Sequence, residues 1–171
     1  MASSAAPEAA FLYDGQHSVG IPQDVTHVQV DPSVKVIGDR AFDRCTLLRS
    51  VKLCEGLESI QQLAFADCTS LESIAIPSTV QVVGVDAFRG CTKLRSVELC
   101  EGLERIDRGA FAGCPSLEQI TIPSTVNFIG TYAFMNSRGL VFKFSSGMEK
   151  FLKEVSLREW LVADGLFVTC L

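Results

Sequence analysis

Histidine is nearly missing from this sequence: His17 and His27 are the only two, and both stand ahead of its regular part. A catalytic triad or a paired-carboxylate site needs unlike residues converging at one place, which a chain of near-identical units does not supply. Phosphate-cradling glycine loops are absent as well. No cofactor is therefore expected, and an enzyme is the least supported class. Positive charge is also short. Fifteen Lys and Arg stand against twenty Asp and Glu, a net charge of −5. The bases are scattered rather than gathered into the stripe a phosphate backbone requires, which argues against nucleic acid as a partner. No apolar run approaches the roughly 18 residues of a membrane span, so no membrane insertion is expected. The opening MASSAAPEAAFLYDG has neither the basic start nor the apolar stretch of a secretory signal. A cytoplasmic location is the expectation, with a processed cell-surface or secreted fragment as the alternative.

What the chain does have is a period. Ala-Phe recurs at Ala41-Phe42, Ala64-Phe65, Ala87-Phe88, Ala110-Phe111 and Ala133-Phe134, always 23 residues apart. A fixed period of this length marks a supersecondary unit that cannot bury its apolar face alone and must stack on its neighbours. In the second unit the apolar skeleton is Leu57, Ile60, Ala64, Phe65, Cys68, Leu71, Ile74 and Ile76. Ile60, Ala64 and Cys68 have the i, i+4, i+8 spacing of a helix stripe, and Leu71, Ile74 and Ile76 end the unit as a strand before Pro77 turns the chain. One short strand and one short helix per unit are expected. The fold expected is an α/β repeat solenoid with one parallel sheet, short helices on the opposite side, and a cap at each end. A second period lies over the first: LCEGLE at 53–58 returns at 99–104 and IPSTV at 76–80 returns at 122–126, so the duplicated unit is 46 residues.

The pattern I-G-x-x-A-F-x-x-C-x-x-L-x-x-V-x-L-P, present as IGDRAFDRCTLLRSVKL and VGVDAFRGCTKLRSVEL, resembles the BspA-like leucine-rich repeat over about residues 25–144. Three departures occur. Cys54 and Cys100 stand where Pro77 and Pro123 are expected, Ser137 replaces a cysteine, and the last unit is one residue shorter. The resemblance implies a right-handed solenoid with a binding surface, and no catalytic residue. Residues 1–10 are expected to be disordered, 11–24 to cap the N-terminal end, 25–144 to form the solenoid of about five units plus a leading strand, and 145–171 to form a helical cap. That last expectation rests on Ser146 three residues before Glu149, with Met148, Phe151, Leu152 and Val155 as an apolar face.

Two sets of residues could carry function. Cys45, Cys68, Cys91 and Cys114 form a column, but a line of sulfurs facing the core lacks the convergence of a zinc site, and buried thiols behave as small hydrophobes. No metal is expected there. Outward positions of the strands give a column Thr26, Arg49, Glu72, Arg95, Glu118 and another Gln29, Lys52, Ala75, Glu98, Thr121. The first alternates in sign; it reads either as a solvated salt-bridge ladder or as a mixed-charge surface for a partner. Val36, Val82 and Phe128 recur at every second unit, as edge packing or an exposed apolar strip. The functional expectation is a non-catalytic, monomeric protein–protein interaction scaffold binding another protein through Arg49, Lys52, Glu72, Arg95, Glu98 and Glu118. A surface adhesin or host-contact fragment is the alternative.

Overall fold

A computed structural model describes residues 10–16, 21–137 and 139–146, and the backbone of Phe167–Val168. The expected helical cap and the first nine residues lie otherwise outside the described residues. Six strands recur at the expected places: β2 (His27–Val30), β4 (Ser50–Lys52), β6 (Ser73–Ile76), β8 (Ser96–Leu99), β10 (Gln119–Ile122) and β12 (Val141–Phe144). With β1 (Phe11–Tyr13) outside β2 and β13 (Phe167–Val168) outside β12, they make one parallel sheet of eight. Its register follows the period, pairing Ser50 with Ser73, Ser73 with Ser96 and Ser96 with Gln119. One step differs. Gln119 pairs with Val141, only 22 residues on, because the last unit is short.

The expected helices do not form, and one sheet becomes two. Between the long strands lie β3 (Val36–Ile37), β5 (Ser59–Ile60), β7 (Val82–Val83), β9 (Arg105–Ile106) and β11 (Phe128–Ile129), which pair in parallel as a second sheet of five. The Ala-Phe segments that follow them are turns. The reason is backbone conformation: each segment carries two residues in the left-handed region, four apart. One column is Arg40, Leu63, Asp86, Gly109 and Tyr132, the other Arg44, Asp67, Gly90, Gly113 and Asn136, with φ between +55° and +74°. A helix tolerates neither.

Hydrogen bonding shows what these turns gain. The amides of Ala64 and Ala66 donate within the turn, to Gln61 O at 3.3 Å and Leu63 O at 3.1 Å. Those of Leu63, Phe65 and Asp67 instead donate to the next rung, to Val85 O, Ala87 O and Arg89 O at 3.0, 2.7 and 2.6 Å. Every second N–H thus ties one rung to the next, as in a sheet. Glycine at Gly90, Gly109 and Gly113 was the trace of this in the sequence, since it recurs where a helix interior would disfavour it.

The interior is a set of ladders. Phe42, Phe65, Phe88, Phe111 and Phe134 stack with ring centroids 4.9–5.5 Å apart and ring planes within 6° of parallel. Tyr13 covers one end of the stack at 5.0 Å, tilted by 58°, and Phe142 the other at 5.0 Å, edge-on. The 46-residue period also has a structural use. The hydroxyl of Thr79 accepts from Gly56 N and donates to Leu57 O in the rung before, and Thr125 does the same with Gly102 N and Leu103 O. Each PSTV turn therefore closes the EGL turn beneath it. Because both sheets pair from rung to rung, both sides of the solenoid advance by about the 4.8 Å strand spacing per rung, which leaves little curvature.

The sign of one substitution separates turn from helix. Gly113→Ala meets nothing closer than 3.6 Å, so its effect is conformational. In a helix it would stabilise by about 1 kcal/mol. In this left-handed turn it is expected to destabilise by about 1–2 kcal/mol, read as a lower denaturant midpoint.

Candidate functional site

The strand pattern puts alternate residues on opposite sides of the eight-stranded sheet. Val28, Val51, Ile74, Val97, Ile120 and Phe142 point into the core, while Lys52, Ala75, Glu98 and Thr121 face out. Arg49, Glu72, Arg95 and Glu118 sit just before their strands, at the rim of the same face, and all are exposed. Backbone bonds fix their stacking: Glu72 N donates to Arg49 O at 3.4 Å and Arg95 N to Glu72 O at 2.8 Å. All six expected residues are therefore brought to one exposed face.

The salt-bridge ladder does not form there. Cross-rung ion pairs occur elsewhere, Lys35–Glu58 at 3.7 Å and Arg89–Asp67 at 3.5 Å, and Arg105 pairs with Asp107 at 2.9 Å. Among the described residues, none joins Arg49, Glu72, Arg95 or Glu118 to a neighbour. Between this column and the next runs a line of small hydroxyls, Ser50, Ser73 and Ser96, in direct register.

The short last unit shapes one end of the face. Leu140 keeps the buried place of Leu117 one period on, whereas Val141 pairs with Gln119, so the residue deleted is the counterpart of Glu118. The surface steps down beside Glu118 into a depression lined by Arg95, Ser96, Glu118, Gln119, Thr121 and Gly139. Gly139, at φ +80°, was not among the expected site residues; the missing residue in the last unit was its only trace in the sequence.

The cysteine column faces the core. Cys68 Sγ donates to Phe42 O at 3.1 Å, Cys91 to Phe65 O at 3.2 Å and Cys114 to Phe88 O at 3.3 Å. Ser137 Oγ makes the same bond to Phe111 O at 3.3 Å, so the serine keeps the column's hydrogen bond. Burial pushes the thiols up, Cys45 to about 11 and Cys114 to about 12, with Cys91 raised well above the ordinary value by burial and by the neighbouring Cys114 and Cys68. A thiolate ligand or nucleophile needs the opposite shift. Among the described residues, no three His, Cys, Asp or Glu side chains are grouped so as to hold a metal ion. His17 lies outside the described residues, and His27 Nδ1 lies 2.9 Å from Thr26 Oγ1.

Val36, Val82 and Phe128 begin strands of the second sheet and do not make a continuous apolar strip. Ser59 and Arg105 alternate with them in register, Val36 and Val82 are half-buried, and the Arg105 guanidinium lies 4.5 Å over the Phe128 ring.

A family model described as the BspA type leucine-rich repeat region matches residues 21–141 in six copies. The chain belongs to the BspA-type leucine-rich repeat family. Among solved structures, a leucine-rich repeat protein from Bacteroides ovatus is 32% identical with a TM-score of 0.64, over 71% of this chain and 31% of its own. The pneumococcal vaccine antigen PcpA is 25% identical with a TM-score of 0.63, over 82% of this chain and 35% of its own. A leucine-rich cell surface protein from Faecalibacterium prausnitzii is 28% identical with a TM-score of 0.55, over 72% and 40%. This BspA-type chain thus spans about a third of the length of the solved relatives it resembles. No curated protein matches it.

The thiol column makes stability depend on alkaline pH. A thiol whose folded value lies above the unfolded 9.0 contributes stability that is complete below pH 9 and is lost as pH rises toward about 11 for Cys45 and about 12 for Cys114. The denaturant midpoint is expected to fall between about pH 9 and pH 11, and less steeply in a variant with Cys45, Cys68, Cys91 and Cys114 all changed to Ser. Equal slopes in the two proteins would remove the thiols from this account.

Proposed function

We propose that this chain is a non-catalytic interaction module that engages a protein partner through the exposed face of its eight-stranded sheet. One observation carries the reading: the alternating column Arg49, Glu72, Arg95, Glu118 is exposed and forms no internal ion pair among the described residues, while cross-rung pairs form elsewhere on the same scaffold. Charges held at fixed spacing and left unpaired steer encounter and select a partner more than they stabilise a fold. Lys52 and Glu98 extend the same face, and the depression beside Gly139 offers a place for a partner side chain. The BspA-type architecture supports the module reading, since its repeated residues go into stacking and leave outward positions free to vary.

A surface role is the second reading. It is supported by two relatives whose descriptions are a vaccine antigen and a cell surface protein. Among the described residues, no helix is long and apolar enough to cross a membrane. Antibody labelling of intact source cells tests this reading; signal only after permeabilisation would place the protein inside.

The double reversal Arg49→Glu with Arg95→Glu makes the column acidic at four successive rungs. Exposed like-charge neighbours cost a few tenths of a kcal/mol to about 1 kcal/mol each, so the variant should fold, with nearly unchanged circular dichroism and a modestly lower melting temperature. Capture of the partner from native extract should be lost, because a like-charge contact at an interface costs several kcal/mol. Full capture by the folded variant would move the site off this sheet.

A further inference from the structure

The charge column has a property that its exposure alone does not give: it is its own complement when reversed. Read from β4 to β10 the rim is Arg49, Glu72, Arg95, Glu118, and read backwards it is Glu, Arg, Glu, Arg. A two-fold axis lying parallel to the strands turns a second copy face to face and reverses its rung order, bringing each column onto itself. Arg49 then meets Glu118 of the second copy, Glu72 meets Arg95, and the two remaining pairs follow by symmetry.

We infer that the exposed face of the eight-stranded sheet is a self-pairing surface, which takes a second copy of this chain in that antiparallel, two-fold arrangement. This goes beyond the proposed function by naming the partner, and it rests on that reading of the face. It departs from the monomer expected of the sequence alone.

Three observations on the molecule lead to it. The first concerns register. The axis that pairs every Arg with a Glu passes between β6 and β8, and these are the two central strands of the sheet, with β1, β2 and β4 on one side and β10, β12 and β13 on the other. The register chosen by charge is therefore also the one that overlaps all eight strands. Sliding by one rung would set Arg49 on Arg95 and Glu72 on its own counterpart, like charge on like charge. The second concerns the neighbouring columns. In this register Ser73 meets Ser96, Ser50 meets Gln119, Lys52 meets Thr121 and Ala75 meets Glu98, so no like charges face each other. The alternative axis along the solenoid would place the Arg49 column on the Lys52 column, where Arg49 against Lys52 cancels Arg95 against Glu98 and Glu72 and Glu118 meet no charge, so it gains none of the four opposite-charge pairs. The third is shape. Because both sheets are hydrogen-bonded from rung to rung, the face advances by one strand spacing at every rung, and small serines along its middle let two such faces approach.

The area sets the strength. Eight strands at about 4.8 Å by about four residues at about 3.3 Å give a face of some 400–500 Å² per copy. That is at the low end for protein interfaces, where contacts are transient. Self-pairing should thus be weak, governed by charge and suppressed by salt.

The test is sedimentation velocity of the full chain over a concentration series. At low salt, about 20 mM, the mass should rise toward two chains, and it should fall back at about 500 mM. Arg49→Glu with Arg95→Glu leaves four acids in the column, and Glu72→Arg with Glu118→Arg leaves four bases. Each variant alone should lose at least about tenfold in self-affinity, and an equimolar mixture should restore the two-chain species, which also shows that both are folded. Should either variant fail to fold, Ser96→Lys at the centre of the face, where Ser73 of the second copy would sit, should abolish pairing by itself. Wild type that stays at one chain at every concentration overturns the inference, as does undiminished pairing in the four-acid variant. A wild type that stays single while Arg49→Glu with Arg95→Glu loses capture of a foreign protein overturns self-pairing and leaves the strand-face reading intact.

Discussion

Everything in this molecule depends on the backbone hydrogen bonds that run from rung to rung. In an ordinary strand-and-helix repeat the strands pair from unit to unit, but the helix satisfies its own amides, so on that side neighbouring units meet through side chains alone. Here the turn segments give up half their amides to the next rung, so long strands, short strands and turns all form ladders along one axis. Left-handed φ at two positions per unit is the cost, about 1–2 kcal/mol for each non-glycine residue, and it falls on Arg40, Leu63, Tyr132 and others that are poorly suited to it. The interlocked amides and the buried Phe stack offset it. An unpaired buried amide would cost a comparable amount, and truncating one stacked ring would cost more.

The same ladders explain the chemistry of the interior. Cysteine fits its column because it is small, apolar and able to donate weakly to the Phe carbonyl of the rung before. Ser137 can replace it at the end of the stack because a hydroxyl makes that bond too. Desolvation then holds the thiols protonated. Their alignment comes from the fold, and burial gives them the opposite of a reactive thiolate's environment.

On the outside, one fixed rise per rung turns sequence into a printed pattern of charge. Arg49, Glu72, Arg95 and Glu118 are separated by about one strand spacing each, close enough to feel one another yet, among the described residues, without a bridging contact. A flat polar face of this kind has little apolar area to contribute to binding. Under the proposed function its selectivity would come from the order of its charges, and its affinity for a partner would be correspondingly modest.

Much of this was legible in the residues. The 23-residue period, the parallel register, the buried Phe and Cys columns and the six outward charged residues all follow from spacing, because in-register stacking maps sequence offset directly onto position. Ile60, Ala64 and Cys68, in contrast, suggested a helix that is not there: an i, i+4, i+8 stripe is buried equally well by a helix or by two successive turns. What separates the two is where the amides of Leu63, Phe65 and Asp67 find their acceptors. Those acceptors lie 22 residues away, so no local pattern could show them. Whether Arg49 would meet Glu72 was open for the same reason, since a contact within ion-pair distance depends on side-chain directions that spacing leaves free. The sequence by itself determined which residues share a column; only the tertiary structure decided how the backbone between columns closes and which charges remain unpaired, because both are settled by contacts with the neighbouring rung.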